Sequence, residues 1–268
     1  MKNNQHGFTL VELSIVLVII GLLIGGILVG QSMISSAGIN ATIAQVQQFD
    51  SAVMSFKEKY NGIPGDSSRF STYGNGDGLI ACGNYGCGSG VYVASFWVGE
   101  LTTFWSDMDR GKFTAGLTNI PFSSTDSATY VPKAKMGRRG SVFIAGAKVI
   151  HATHYNADRT APKNYYAIMA QNQYEYVAPF YAFATTSATK SAVKPADALA
   201  LDKKADDGIA NTGDILSGAI SDYSTPDIGG ITETAATGCS ASASYTITTD
   251  SEQCTPIIRM GSQTGSVQ

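Results

Sequence analysis

Charge is scarce in this 268-residue chain: Asp, Glu, Lys and Arg make up 15% of it, against roughly 25% in an average globular domain. A highly charged disordered chain is therefore excluded. Neither sign dominates, since 18 Lys and Arg face 21 Asp and Glu for a net charge of −3. Without a basic field there is little to hold nucleic acid or an anionic membrane surface. Four cysteines are too few to build a disulfide miniprotein, whereas the length allows one sizeable core or two small ones. Histidine is rarer still, at three residues, and no G-x-S-x-G, H-E-x-x-H or phosphate-loop pattern occurs, so nothing positive supports an enzyme. There is no internal repeat of fixed period. A single segment is long and apolar enough to cross a bilayer, which excludes a polytopic channel or transporter.

That segment lies at the N-terminus. Residues 8–30 read FTLVELSIVLVIIGLLIGGILVG, with Glu12 as the one charge and no proline. As a helix it is roughly 35 Å long, enough for a hydrocarbon core of about 30 Å. No Asp, Glu, Lys or Arg occurs between Glu12 and Asp50. Past the apolar run, Ile39, Ile43, Val46, Phe49, Val53, Phe56 and Tyr60 follow at steps of 4, 3, 3, 4, 3 and 4, which lines one face of a helix. The pattern predicts a helix over about residues 8–60, roughly 80 Å long at 1.5 Å per residue. Its first half suits lipid or other such helices, and its second half suits the underside of a globular head.

Glu12 is the costly residue, because an ionised carboxylate inside a spanning segment costs about 2.5 to 3.5 kcal/mol on insertion scales and is usually paired. Two physical readings stand side by side. A cut after Gly7 places a new α-amine at Phe8, one turn from Glu12 or opposite the Glu12 of a neighbouring helix. Otherwise Glu12 lies close enough to the headgroups to stay hydrated.

Gly7 followed by Phe8-Thr9-Leu10-Val11-Glu12, behind the leader MKNNQH with its Lys2 and ahead of the unbroken apolar run, resembles the class III signal of type IV pilins and type II secretion pseudopilins. The resemblance is strong over residues 1–60 and weak beyond. It implies that a prepilin peptidase/N-methyltransferase cuts between Gly7 and Phe8 and methylates Phe8, and that Glu12 neutralises the terminal amine of an adjacent subunit during assembly. The partners it implies are copies of this chain, other pilin-like subunits and an inner-membrane assembly platform. The location it implies is the bacterial inner membrane as a single-pass precursor, then a pilus or pseudopilus. The fold expected is α+β and pilin-like: a long N-terminal helix packed on a small antiparallel sheet, with loop insertions. Its divisions would be leader 1–7, transmembrane and polymerisation half 8–30, amphipathic half 31–60, and head 61–268. Many helices of that family carry a proline near the end of the apolar half. Here Gly21, Gly25, Gly26 and Gly30 stand instead, and glycines at about 1 kcal/mol each against Ala favour unwinding of the same stretch.

Two alternatives remain beside a structural subunit. One is a minor or tip pilin acting as an adhesin or DNA-uptake receptor. The other takes Ser35-Ser36-Ala37 as an ordinary secretory cleavage site before Gly38. An apolar region of 23 residues is far longer than the usual stretch of about 7 to 15, and Glu12 interrupts it early.

In the head, residues 61–66 (NGIPGD) form a dense turn signal that ends the helix. Residues 141–151, 164–170 and 174–184 read as strands, the last weakened by Pro179. Residues 195–207 read as a short helix with proline in its first turn and Gly208 as its stop. Cys82, Cys87, Cys239 and Cys254 permit three pairings, of which the local closures Cys82–Cys87 and Cys239–Cys254 are favoured. The second loop resembles the C-terminal disulfide-bounded region of type IV pilins. A zinc site fits poorly, because there is no C-x₂-C and no matching histidine cluster.

Asp202, Asp206, Asp207 and Asp214, with Asn211, bring four carboxylates and an amide into thirteen positions, an oxygen-rich turn of the kind calcium favours. The plainer reading is a solvated Asp-Asp-Gly turn after a helix, with Lys203 and Lys204 offsetting the charge. No other cofactor and no catalytic residue is expected. Asn75 and Asp77 form a weaker version of the same idea. His151 and His154 read as surface residues. Lys133, Lys135, Arg138 and Arg139 read as a solvated loop or a contact for an acidic neighbouring subunit before they read as a DNA patch. Intact-mass analysis of the mature chain should give a start at Phe8 carrying one extra methyl group. A start at Gly38 would defeat that expectation.

Overall fold

A computed structural model describes residues 9–70, 74–80, 100–113, 119–124, 127–137, 141–148, 163–169, 191–220, 231–232, 238–241, 243–248 and 250–261. Helix α1 runs Leu10–Tyr60, 51 residues without a break. Lys57 and Lys59 in its last turn complement the negative end of the helix dipole. Asn61 then takes a φ of +54° and donates its N–H to the Lys57 carbonyl at 2.8 Å, a left-handed cap that Asn adopts more readily than other non-glycine residues.

The chain divides within α1 into two units, one ending at Gly38 and one starting at Ile39. In the first unit the large apolar side chains from Leu10 to Ile34 are exposed all round, from 45% at Ile20 to 86% at Leu10. A helix that is apolar on every side is built for an apolar surrounding and not for one packed face.

In the second unit the helix becomes one-sided. Ile39, Val46, Phe49, Val53 and Phe56 are buried, with Ile43 and Tyr60 packed partly against the core. Thr42 and Asp50 are buried on the same face, two polar members that the apolar periodicity does not announce. After α1 come α2 (Glu100–Arg110), β1 (Asn119–Ser124), β2 (Ser127–Pro132), β3 (Val142–Lys148), β4 (Lys163–Met169), α3 (Pro195–Ala205), β5 (Ile215–Ile220), β6 (Ile231–Thr232), β7 (Ser240–Ala241), β8 (Ser244–Tyr245) and β9 (Thr255–Arg259). The main sheet has the order β3-β4-β9-β5-β6, and all its pairings are antiparallel. Hairpins β1–β2 and β7–β8 form two small separate sheets. The architecture is thus α+β, a long N-terminal helix with a small antiparallel sheet.

Strand β9 sits at the centre of the main sheet although it comes last among the described strands. Ile258 lies opposite Tyr166 of β4 on one side and Ile215 of β5 on the other. The core gathers around Phe49, whose ring meets Trp105 at 5.0 Å, Phe143 at 5.1 Å and Tyr166 at 5.7 Å between centroids. A second aromatic group, Phe56, Tyr60, Phe70 and Phe113, closes the C-terminal end of α1. Beside Phe49, Asp50 accepts the backbone N–H of Gly261 at 2.9 Å, so α1 is tied to the residues just after β9. Burial and the neighbouring Asp50 push the Tyr166 hydroxyl well above its usual range.

The strands expected at 141–151 and 164–170 are present as β3 and β4, while 174–184 lies outside the described residues. The helix expected over 195–207 stops at Ala205, because Asp206 leaves helical geometry with φ −150° and ψ −137°. Helix α2 and strands β1, β2, β5 and β9 escape the sequence reading, since short segments such as TPIIR and ILSGAI have too few residues to show a period. Replacing Phe49 by Ala removes the ring on which three others converge. It should lower the unfolding free energy of the full chain in detergent by about 3 to 5 kcal/mol, measured by denaturant titration.

Candidate functional site

Thr9 precedes the first helical residue, and its carbonyl accepts the N–H of Leu13 at 3.2 Å. Its backbone N–H donates to Glu12 Oε2 at 2.9 Å, and its hydroxyl donates to the same oxygen at 2.7 Å. In return the Glu12 N–H donates to Thr9 Oγ1 at 3.3 Å. This is a reciprocal capping box, which satisfies donors that the first helical turn leaves open. Further along, the Ser14 and Ser32 hydroxyls donate to the carbonyls of Val11 and Val29, so these polar groups place no unsatisfied donor on the apolar surface. A Cβ added at Gly21, Gly25, Gly26 or Gly30 would meet nothing within 4 Å. Gly7 and Phe8 lie outside the described residues.

The Asp-rich segment after α3 folds around its own carboxylates. Buried Asp202 accepts the Tyr245 hydroxyl at 2.6 Å and the Gly208 N–H at 3.0 Å. Asp206 accepts the N–H groups of Asp214 and Ile215. Asp207 accepts the Ile209 N–H at 2.8 Å and the Thr212 hydroxyl at 2.6 Å. Ligand-type oxygens of these three lie within 4.8 Å of one another. Asp214 turns instead to Arg259, with Nη2 2.8 Å from Oδ2. Gly213, at φ +76°, is required here, because a Cβ would stand 2.1 Å from Asp206 Oδ2. Thus each of the four acids has a donor within the fold, and the turn is held by charge-assisted hydrogen bonds.

A second acidic group is more deeply buried. Asp66 accepts the N–H of Gly76 at 2.6 Å and of Gly78 at 2.8 Å, and Glu100 accepts that of Asn75 at 3.1 Å. Asp66, Asp77 and Glu100 also bring oxygens within 4.8 Å of one another. The sequence points to Asn75 and Asp77 alone. Asp66 and Glu100 join them because the 61–66 turn lies against α2, where a Cβ on Gly65 (φ +87°) would stand 2.5 Å from the Glu100 carbonyl. The Gly65 N–H donates to buried Asp107 Oδ2 at 2.9 Å, while Asp107 Oδ1 has no hydrogen bond among the described residues.

Cys239 and Cys254 form a disulfide with Cα atoms 4.9 Å apart. In the chain-entropy picture, closing a loop of this size contributes about 3 kcal/mol. The loop holds the β7–β8 hairpin, whose Tyr245 reaches back to Asp202, and Lys194 at the start of α3 pairs with Asp250 inside it. Cys82 and Cys87 lie outside the described residues, as do His151, His154, Arg138 and Arg139. Lys133 and Lys135 are exposed. Their loop is pinned to α1 by Gln45, which donates to the Lys133 carbonyl at 3.0 Å and accepts the Lys135 N–H at 3.1 Å.

Around Thr9 and Glu12 the chain carries a known signature. A family model described as the prokaryotic N-terminal methylation motif matches residues 2–28. Over those residues the chain is similar to the class III signal of type IV pilins and pseudopilins, and the match supports a pilin-like prepilin without reaching the rest of the chain. Gly7, Phe8, Thr9 and Glu12 all fall inside the match, and the apolar first half of α1 fits a membrane-anchored precursor. No curated protein and no solved structure matches the chain.

Burial raises the carboxyls of Asp107 and Asp202 to about 6, and it outweighs the bonds from Gly65 and Tyr245 that pull the other way. Their pKa in the unfolded chain is near 3.8. The protonated folded form is therefore favoured, with its full contribution below pH 3.8 and a progressive loss as pH rises through about 6. The head should unfold more readily at pH 7.5 than at pH 5 in denaturant. In Asp107→Asn that difference should shrink by about 1 kcal/mol, the one pKa unit between pH 5 and about 6 reduced for partial solvent access.

Proposed function

We propose that this chain is a structural subunit of a type IV pilus or a type II secretion pseudopilus. Prepilin peptidase cuts it between Gly7 and Phe8 and methylates Phe8. Residues 8–30 hold the mature subunit in the inner membrane, residues 31–60 continue the helix, and residues 61–268 form the exported head. With the assembly platform it polymerises by moving residues 8–30 from lipid into contact with the same segment of neighbouring subunits. The observation that carries this reading is a methylation motif on a helix that is apolar all round from Leu10 to Ile34 and one-sided from Ile39 onward.

Lipid tails are as apolar as leucine, so hydrophobicity alone does not favour the filament over the membrane. The difference must come from close packing and from polar groups that the bilayer serves badly. Glu12 is the main such group: its carboxylate costs about 2.5 to 3.5 kcal/mol within a spanning segment, and a neighbour's Phe8 amine relieves that cost. Glu12→Ala should leave a processed, membrane-bound subunit that is absent from sheared filaments, as read by immunoblot of the two fractions. Normal incorporation of the variant would refute the role of the carboxylate.

A further inference from the structure

Three basic–aromatic neighbours in the sequence, Lys59-Tyr60, Arg69-Phe70 and Lys112-Phe113, come from the end of α1, the chain that follows it and the end of α2, and the fold gathers them in one place. Tyr60 lies 4.6 Å from Phe70 and 6.3 Å from Phe113 between ring centroids. The three rings are half-buried, while Lys59, Arg69 and Lys112 beside them are exposed. Arg110 fixes the Phe70 turn to α2, its guanidinium donating to the Phe70 carbonyl at 3.0 Å. Lys59 Nζ stands 4.9 Å from the Tyr60 centroid and 5.6 Å from that of Phe113. The ring faces therefore hold the ammonium in place, and less freedom is lost when it meets an anion.

Helix dipoles account for only part of this charge. Lys59 and Arg110 sit in last turns, where cations are favoured, but Arg69 and Lys112 lie outside both helices. Lys112 moreover takes a φ of +64°, a left-handed conformation that costs a lysine backbone energy, although a glycine stands one residue before it. Gly111 is needed where it is, since a Cβ there would lie 2.7 Å from the Phe113 ring. Residues 57–60, 67–70 and 109–113 together carry five cations and two acids, in a chain whose net charge is −3. The surface is thus locally basic and partly apolar.

We propose that this surface binds an acidic polysaccharide: Lys59, Arg69 and Lys112 pair with carboxylates along the polymer, and the exposed parts of Tyr60, Phe70 and Phe113 pack against the C–H faces of its sugars. Nucleic acid fits less well. The rings meet edge to face, at 76° and 89°, and Lys59 stands over two of them, which leaves no open pair of faces for stacked bases. A duplex is held by a broad array of phosphate contacts, which so few cations do not supply. Such binding uses the head alone and does not depend on the role of Glu12.

The test measures binding of the full chain, in micelles of a neutral detergent without a sugar headgroup, to immobilised polygalacturonate by interferometry at low salt. The parent should bind, and binding should weaken as salt is raised. Lys59→Gln/Arg69→Gln/Lys112→Gly should lose at least about tenfold in affinity, and the glycine also relieves the left-handed φ, which favours the fold. Lys203→Gln/Lys204→Gln, which removes two exposed lysines of α3, should stay within about twofold of the parent. Equal loss in the two variants would mark a non-specific charge effect and overturn the proposal, as would parent-like binding by the triple variant or no binding by the parent. Tighter binding of poly-glutamate or duplex DNA than of polygalacturonate at the same salt would overturn the polysaccharide reading in favour of that partner. Should the triple variant lose the parent's near-ultraviolet circular dichroism, Lys112→Gly alone supplies the answer. It should weaken binding at least about threefold while melting no lower than the parent, and parent-like binding would count against the proposal.

Discussion

From Leu13 to Phe49 helix α1 carries no charged side chain, and this constraint governs what the rest of the molecule does. A stretch of that length and composition cannot be left to water, since each large aliphatic side chain moved out of water contributes about 1.5 to 3 kcal/mol. The chain meets the demand in two ways along one helix. Up to Ile34 the side chains are apolar on every side and call for an apolar surrounding. From Ile39 on, a single stripe suffices because Phe49, Val53 and Phe56 are covered by the chain's own aromatic core. Thr9, Ser14 and Ser32 direct their hydroxyls to acceptors within the helix, so Glu12 is the one charged group that the apolar segment presents.

In the head, acidic side chains serve as internal acceptors. Asp66, Asp202, Asp206 and Asp207 each receive donors from the loop that surrounds them, mostly backbone N–H groups of glycines and their neighbours. Loops rich in glycine cannot be ordered by side-chain packing, and strong hydrogen bonds to carboxylates offset part of the ordering entropy. The cost is desolvation, which raises the carboxyls of Asp66, Asp107, Asp202 and Asp206. The head accordingly holds several acids that are easier to protonate when folded. The Cys239–Cys254 closure and the Tyr245–Asp202 bond join two of its loops, and the Asp50 bond to Gly261 joins its helix to its last strand.

Much of this organisation is legible before any coordinates. The apolar run, the charge gap and the stripe from Ile39 to Tyr60 follow from spacing alone, because helical periodicity is a local property that a 3.6-residue repeat writes directly into the order of residues. Phe8, Thr9 and Glu12 are legible for the same reason, being neighbours in sequence. Even so, the capping contact goes unread, since it depends on a side-chain geometry that sequence proximity permits but does not impose. Strands β3 and β4 show through their β-branched and aromatic runs. Strand β9, five residues long, does not, although it is the centre of the sheet.

What could not be read from residue order is which distant groups meet. Asp50 marks only the end of the charge-free stretch until Gly261, 211 residues later, is laid against it. Asp66 and Glu100 are not singled out by their sequence setting and come together only when the 61–66 turn packs on α2. Asp214 looks like a fourth oxygen for the Asp202–Asp207 turn until Arg259 claims it. In each case the deciding term is burial together with a partner brought in by the sheet order. Burial is a property of the closed core, whereas the environment, one-sidedness and processing signal of the N-terminal helix are local and were complete in the first sixty residues.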